Sequence, residues 1–181
     1  MARRPREPNP HILPIRIFGD PVLKERSREV ETFDDALRQL AADMLVTMYD
    51  APGVGLAAPQ IGRAIRLIVW DDGEHGPQAM ANPVLSGREG DQEDDEGCLS
   101  VPGLFFPVPR ALRVRADGAD LDGRPMTVEG EGLLARILQH EHDHLEGTLI
   151  LERISREDRA RAMAEIRDAE MGLASRFSRS K

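Results

Sequence analysis

The nine residues Gln139 to Gly147, QHEHDHLEG, hold three histidines and three carboxylates. On an α-helix successive side chains lie about 100° apart, so His140 and His144 differ by about 40° and share a face, while His142 at about 200° points away. Glu141 falls about 60° from His144, near enough to touch a water on an ion held by the two imidazoles. Two ligands and a general base are the mechanical content of H-E-x-x-H. A catalytic ion of this kind takes three protein ligands and keeps one position open. Downstream of the helix there is no further histidine, and Glu152 and Glu157 lie in a stretch without apolar cover. Cys98, the single cysteine, is the better third ligand: Gly97 permits close backbone approach, Glu96 can orient a ligand imidazole, and Leu99 opens an apolar segment. His11 and His75, isolated in tail and loop, read as ordinary polar residues, and His142 as a surface-pocket histidine.

The elements that must position these groups read as follows. Leu133, Leu134, Ile137, Leu138, His144 and Leu145 recur at helical spacing around the motif, and Gly147 stands where a helix C-terminal glycine belongs, so the motif lies on a buried helix. An earlier helix starts at a Thr32–Asp35 capping pattern and carries Leu37, Leu40, Ala41, Met44, Leu45 and Met48 on one face. It stops in APGVGLAAPQIG, read as a loop. IRLIVW, MANPVL, ALRVRA and RPMTV read as short strands, and the acid-rich SGREGDQEDDE as a solvated connection. Ser155 with Asp158 caps a last, polar helix. The expected fold class is α+β: short, mostly antiparallel strands packed around a central metal-binding helix, with a further helix in the N-terminal half and another at the C-terminus.

A chain of 181 residues reads as one domain, here 11–174, between a basic tail at 1–10 and a short tail at 175–181. The net charge of -8 argues against nucleic-acid recognition as the main business. One cysteine cannot close an internal disulfide, which points to a reducing compartment, the cytoplasm. No apolar stretch follows the arginines of MARRPREPNP, so neither a signal peptide nor a membrane span is expected.

GVGLAAPQ at 53–60, EGCLS at 96–100 and QHEHDH at 139–144 together resemble the three signature motifs of the peptide deformylase family, in order and with similar separations. The resemblance implies that Cys98, His140 and His144 bind one divalent metal, ferrous iron in the cell, with zinc, nickel or cobalt able to replace it. It implies removal of the formyl group from the N-terminal formyl-methionine of nascent polypeptides at the ribosome, by a monomeric enzyme. Glu141 would move the proton, and the Gln60 side chain and Leu99 N–H would stabilise the oxygen that gains charge. Val54, Gly55 and Gly97 would flank the peptide, and Ile137 would line the methionine pocket. Asp143, about 60° from His140 on the helix, and Glu96 are available to accept from ligand imidazoles or to pair with Arg110, which matches an arginine position of the family; the plain alternative is a surface ion pair. H-E-x-x-H alone also fits a metallopeptidase, and the three ligands alone would fit a non-catalytic, metal-stabilised relative. Gln60 and Glu141 argue against the latter.

Overall fold

The computed structural model describes residues 9–170. The tail at 175–181 and most of the tail at 1–10 fall outside those residues.

The first long helix, α1 (Asp35–Asp50), is capped by Asp34, whose carboxylate accepts from the Leu37 N–H at 3.0 Å. The cap is therefore Asp34 and not Thr32, two residues earlier. Asp34 has the extended backbone an N-cap requires, and its short carboxylate reaches the third N–H of the helix. The segment expected to be a loop after α1 contains a three-residue strand, β1 (Gly55–Ala57), and a 3-10 turn over Ala58–Ile61. Next come β2 (Leu67–Trp70) and β3 (Gln78–Glu89). The acid-rich segment is not a connection: it closes β3 and forms β4 (Gln92–Cys98), which pairs with β5 (Val101–Arg110) in a two-stranded ribbon. β6 (Arg113–Ala119) and β7 (Pro125–Glu131) follow, then α2 (Leu133–Leu145) and α3 (Arg156–Glu170).

β1, β2, β3, β6 and β7 form one antiparallel sheet in that spatial order. β2 explains why LIVW is apolar throughout: Leu67 and Val69 pack into the core under α1, while Ile68 and Trp70 pack into the core under α2. A third, smaller core of Cys98, Val101, Phe106, Ile150, Leu151 and Ala162 joins the ribbon to the C-terminal segment. The α+β class is as expected, with α2 central. α2 ends at Leu145 with Glu146 as its C-cap, and Gly147 follows with φ 71°, the left-handed backbone that glycine tolerates without strain. Ser155 and Asp158 form the reciprocal cap of α3: the hydroxyl accepts from the Asp158 N–H at 3.0 Å.

Candidate metal centre and active site

α2 carries His140 and His144 one turn apart on the face turned toward the end of the ribbon, where β4 finishes at Cys98. The Cys98 Sγ lies 3.4 Å from His144 Nε2, and the two Nε2 atoms lie 3.2 Å apart. A tetrahedral ion with bonds of about 2.1 Å to nitrogen and 2.3 Å to sulfur would hold such atoms about 3.4–3.6 Å apart. The two separations are close to that, and all three donor atoms lie within 4.8 Å of one another, a group able to hold one ion. Their chemistry, one sulfur and two imidazoles, suits a transition metal rather than calcium or magnesium.

The ligands are fixed from behind. Glu96 Oε2 lies 2.9 Å from His140 Nδ1, which sets the tautomer and turns Nε2 toward Cys98. Arg110 donates to both Glu96 oxygens at 2.8 and 2.9 Å and to Asp143 at 2.6 Å, and Arg136 adds a bond to Glu96 at 2.8 Å. Burial alone would raise the Glu96 carboxyl, but the bonds from Arg110 and His140 outweigh it and hold it at about 2. Burial likewise works against a charged His140, yet the Cys98 sulfur and Glu96 raise its pKa well above the usual histidine range. His144 is pushed well below that range, first by burial and then by His140. Asp143 does not touch a ligand imidazole: it accepts from Arg110 and, at 2.6 and 3.0 Å, from Arg153.

Glu141 is buried beside this group, and its Oε2 has no hydrogen-bond partner within the protein. Burial pushes its carboxyl up to about 7, where it can take a proton at neutral pH. Gly55 is what makes room for it, because a Cβ at that position would collide with the Glu141 carboxylate. Gln60 is buried in the 3-10 turn after β1. Its Oε1 accepts from the Ala57 N–H at 2.8 Å, so the amide nitrogen faces Ser100 Oγ at 3.2 Å and Cys98 Sγ at 3.9 Å.

Gly55, Gln60, Glu96, Cys98, His140 and Glu141 line a cavity of about 570 Å³ together with Val54, Gly97, Leu99, Phe105, Leu133, Arg136 and Ile137. β1 is an outer strand of the sheet, with β2 as its only strand partner among the described residues, which leaves a backbone edge beside the cavity. All the sequence-predicted site residues but His144 line this cavity, and His144 joins them through its approach to Cys98 and His140. His142 does not: it sits half-buried, 3.7 Å from Glu146 and 3.4 Å from Arg66, on another side of α2. His11 and His75 pair with Asp43 and Asp72 at the surface. Sequence reasoning missed Arg136, Ser100 and the apolar rim of Phe105 and Leu133. An arginine on the apolar face of a helix was the available signal for the first, since a buried guanidinium demands a carboxylate.

The polypeptide deformylase family model matches residues 12–160. The chain belongs to the peptide deformylase family. It is 51% identical over 160 residues to the peptide deformylase of Acidothermus cellulolyticus, covering 88% of both chains. It superposes on the peptide deformylase crystal structure from Legionella pneumophila with a TM-score of 0.84 at 41% identity, covering 91% of this chain and 99% of that one. For the Thermus thermophilus enzyme the values are 0.83 and 46%, with 90% and 98% covered. The deformylase is thus a metal-dependent hydrolase that removes the N-terminal formyl group from newly synthesised polypeptides. No helix among the described residues is long and apolar enough to cross a membrane.

Proposed function

We propose that Cys98, His140 and His144 hold the one divalent ion of this deformylase, ferrous iron in the cell, and that Glu141 is its general base. The observation that carries the reading is the close approach of the three donor atoms, 3.2 and 3.4 Å, beside a buried carboxylate with a free oxygen. When bound, such an ion acidifies water and withdraws charge from a carbonyl oxygen.

The remaining work falls to the chain. The formyl-methionyl peptide lies extended between the free edge of β1 at Val54–Gly55 and Gly97, where backbone pairing orients it and missing side chains leave it room. Its methionine side chain enters the cavity past Leu133 and Ile137. Glu141 takes a proton from water as the water oxygen bonds to the formyl carbon. The same carboxyl then gives that proton to the peptide nitrogen as the C–N bond breaks, releasing formate and a free amine. Charge developing on the formyl oxygen is met by the Gln60 Nε2 and Leu99 N–H donors, and Gln60 is held for this by its bond from Ala57. Glu96, clamped by Arg110 and Arg136, positions His140.

The enzyme works as a cytoplasmic monomer on nascent chains at the ribosome, and zinc, nickel or cobalt can stand in for iron in preparations. Protein prepared anaerobically with ferrous iron is expected to release formate from formyl-Met-Ala. Metal-loaded protein that leaves this peptide formylated yet cuts internal bonds would favour a peptidase.

A further inference from the structure

The cavity does not end at its mouth. β4 and β5 run away from it as a ribbon in which Gly97 lies opposite Phe105, Asp95 opposite Pro107 and Glu93 opposite Pro109. Directly paired residues of antiparallel strands project to the same face. One face of the ribbon, with Glu96, Phe106, Val108 and Arg110, is buried. The other carries Glu93, Asp95, Phe105, Pro107 and Pro109, all exposed, and Phe105 is 66% exposed. Asp95, Gly97 and Phe105 also line the cavity, so this face is continuous with it.

Resting on the deformylase reading above, we propose that this face is a track for the substrate chain beyond its third residue, and that it favours apolar and basic residues there. Phe105, Pro107 and Pro109 form an apolar ridge on β5. Proline side chains lose almost no rotamer freedom when contacted, so the ridge is ready-made. Beside it on β4 stand the carboxylates of Glu93 and Asp95, and no basic residue of either strand shares the face. At Gly97 the missing side chain lets the Phe105 ring lie across β4, since a Cβ there would collide with the ring, and this joins the ridge to the cavity. From Phe105 to Pro109 the strand advances about 13 Å, the length of about four extended peptide residues. The track therefore serves roughly residues four to seven of a chain whose formyl end is at Glu141. A second copy of this protein is a poor occupant, because two chains of net charge -8 would bring the same carboxylates together.

The test compares kcat/KM for formate release from formyl-Met-Ala, formyl-Met-Ala-Ser and two heptapeptides that extend the latter with Leu-Lys-Leu-Lys or Leu-Glu-Leu-Glu. At low salt the lysine heptapeptide is expected to exceed formyl-Met-Ala-Ser by about three- to tenfold and the glutamate heptapeptide by about tenfold or more. That gap should narrow at about 0.5 M salt. Glu93→Lys should shrink the gap about threefold and leave formyl-Met-Ala turnover within about twofold of the parent. Equal kcat/KM for the tripeptide and both heptapeptides overturns the track while leaving the deformylase reading intact. Absence of turnover with formyl-Met-Ala itself overturns both. Self-association in sedimentation that Glu93→Lys abolishes would assign the face to a second copy and overturn the track.

Discussion

Glu96→Gln tests whether the charge behind His140 holds the site together. In the folded protein this carboxylate is buried and receives bonds from Arg110, Arg136 and His140. A carboxyl held at about 2 against an ordinary 4.5 contributes about 3 kcal/mol near pH 7, at about 1.4 kcal/mol per tenfold in proton affinity. Breaking a buried ion pair from one side costs about 3–5 kcal/mol, so two independent routes give the same size. The sign follows from the depressed value: the stabilisation is fully present above about pH 4.5 and fades as pH falls toward about 2, to about 1.4 kcal/mol near pH 3. Urea unfolding of metal-free parent and Glu96→Gln should differ by about 3 kcal/mol near pH 7, and the gap should close in acid. Competition with a chromophoric chelator should show metal affinity weaker by about 10- to 100-fold, because His140 loses the acceptor that fixes its tautomer. A variant within about 0.5 kcal/mol of the parent, with unchanged metal affinity, would refute the role given to this buried network.

Glu141→Gln should keep its metal by elemental analysis while kcat falls by about 10²–10⁴-fold; equal activity would remove it as the base. Gly55→Ala puts a Cβ into the Glu141 carboxylate and should lower kcat/KM by about tenfold or more with metal content unchanged. Because Cys98 binds a metal as thiolate and His140 and His144 as neutral imidazoles, metal binding must expel protons, so affinity should fall as pH falls. Calorimetric titration in two buffers of different ionisation heat measures that proton release, and pH-independent affinity would contradict it. His142→Ala, on another side of α2, should bind metal and release formate as the parent does.

What could be read in the residues was the chemistry carried by helical spacing. His140, His144 and Glu141 fall together by periodicity alone, and the apolar run of β2 reads as a strand because both of its faces are covered. What could not be read was the ribbon. QEDDEGC has few apolar residues and no clean alternation, because its outer face is solvated and its inner face holds Glu96, whose charge is met by Arg110 from β5 and Arg136 from α2. Those partners lie 14 and 40 residues away, beyond the reach of any local pattern. β1 was hidden for a different reason: three residues in a stretch rich in glycine and proline look like a turn, and brevity is common in a strand at a sheet edge.

The misread segments are the ones that build the site, and the cause is physical. A strand that delivers a metal ligand cannot be uniformly apolar, since Glu96, which orients His140, must precede Cys98 by two residues on the same short stretch. The register of β4 against β5 shifts between Gly97 and Cys98, from Gly97 opposite Phe105 to Cys98 opposite Val101, so the ribbon ends in a tight turn at the ligand. That shift, rather than helical geometry, brings a sulfur 42 residues upstream of His140 to 3.4 Å from His144. Local propensity was set aside at this point because the buried arginines and the ligand geometry repay it only in the assembled fold, which is where disagreement between local and global preference is expected to mark function.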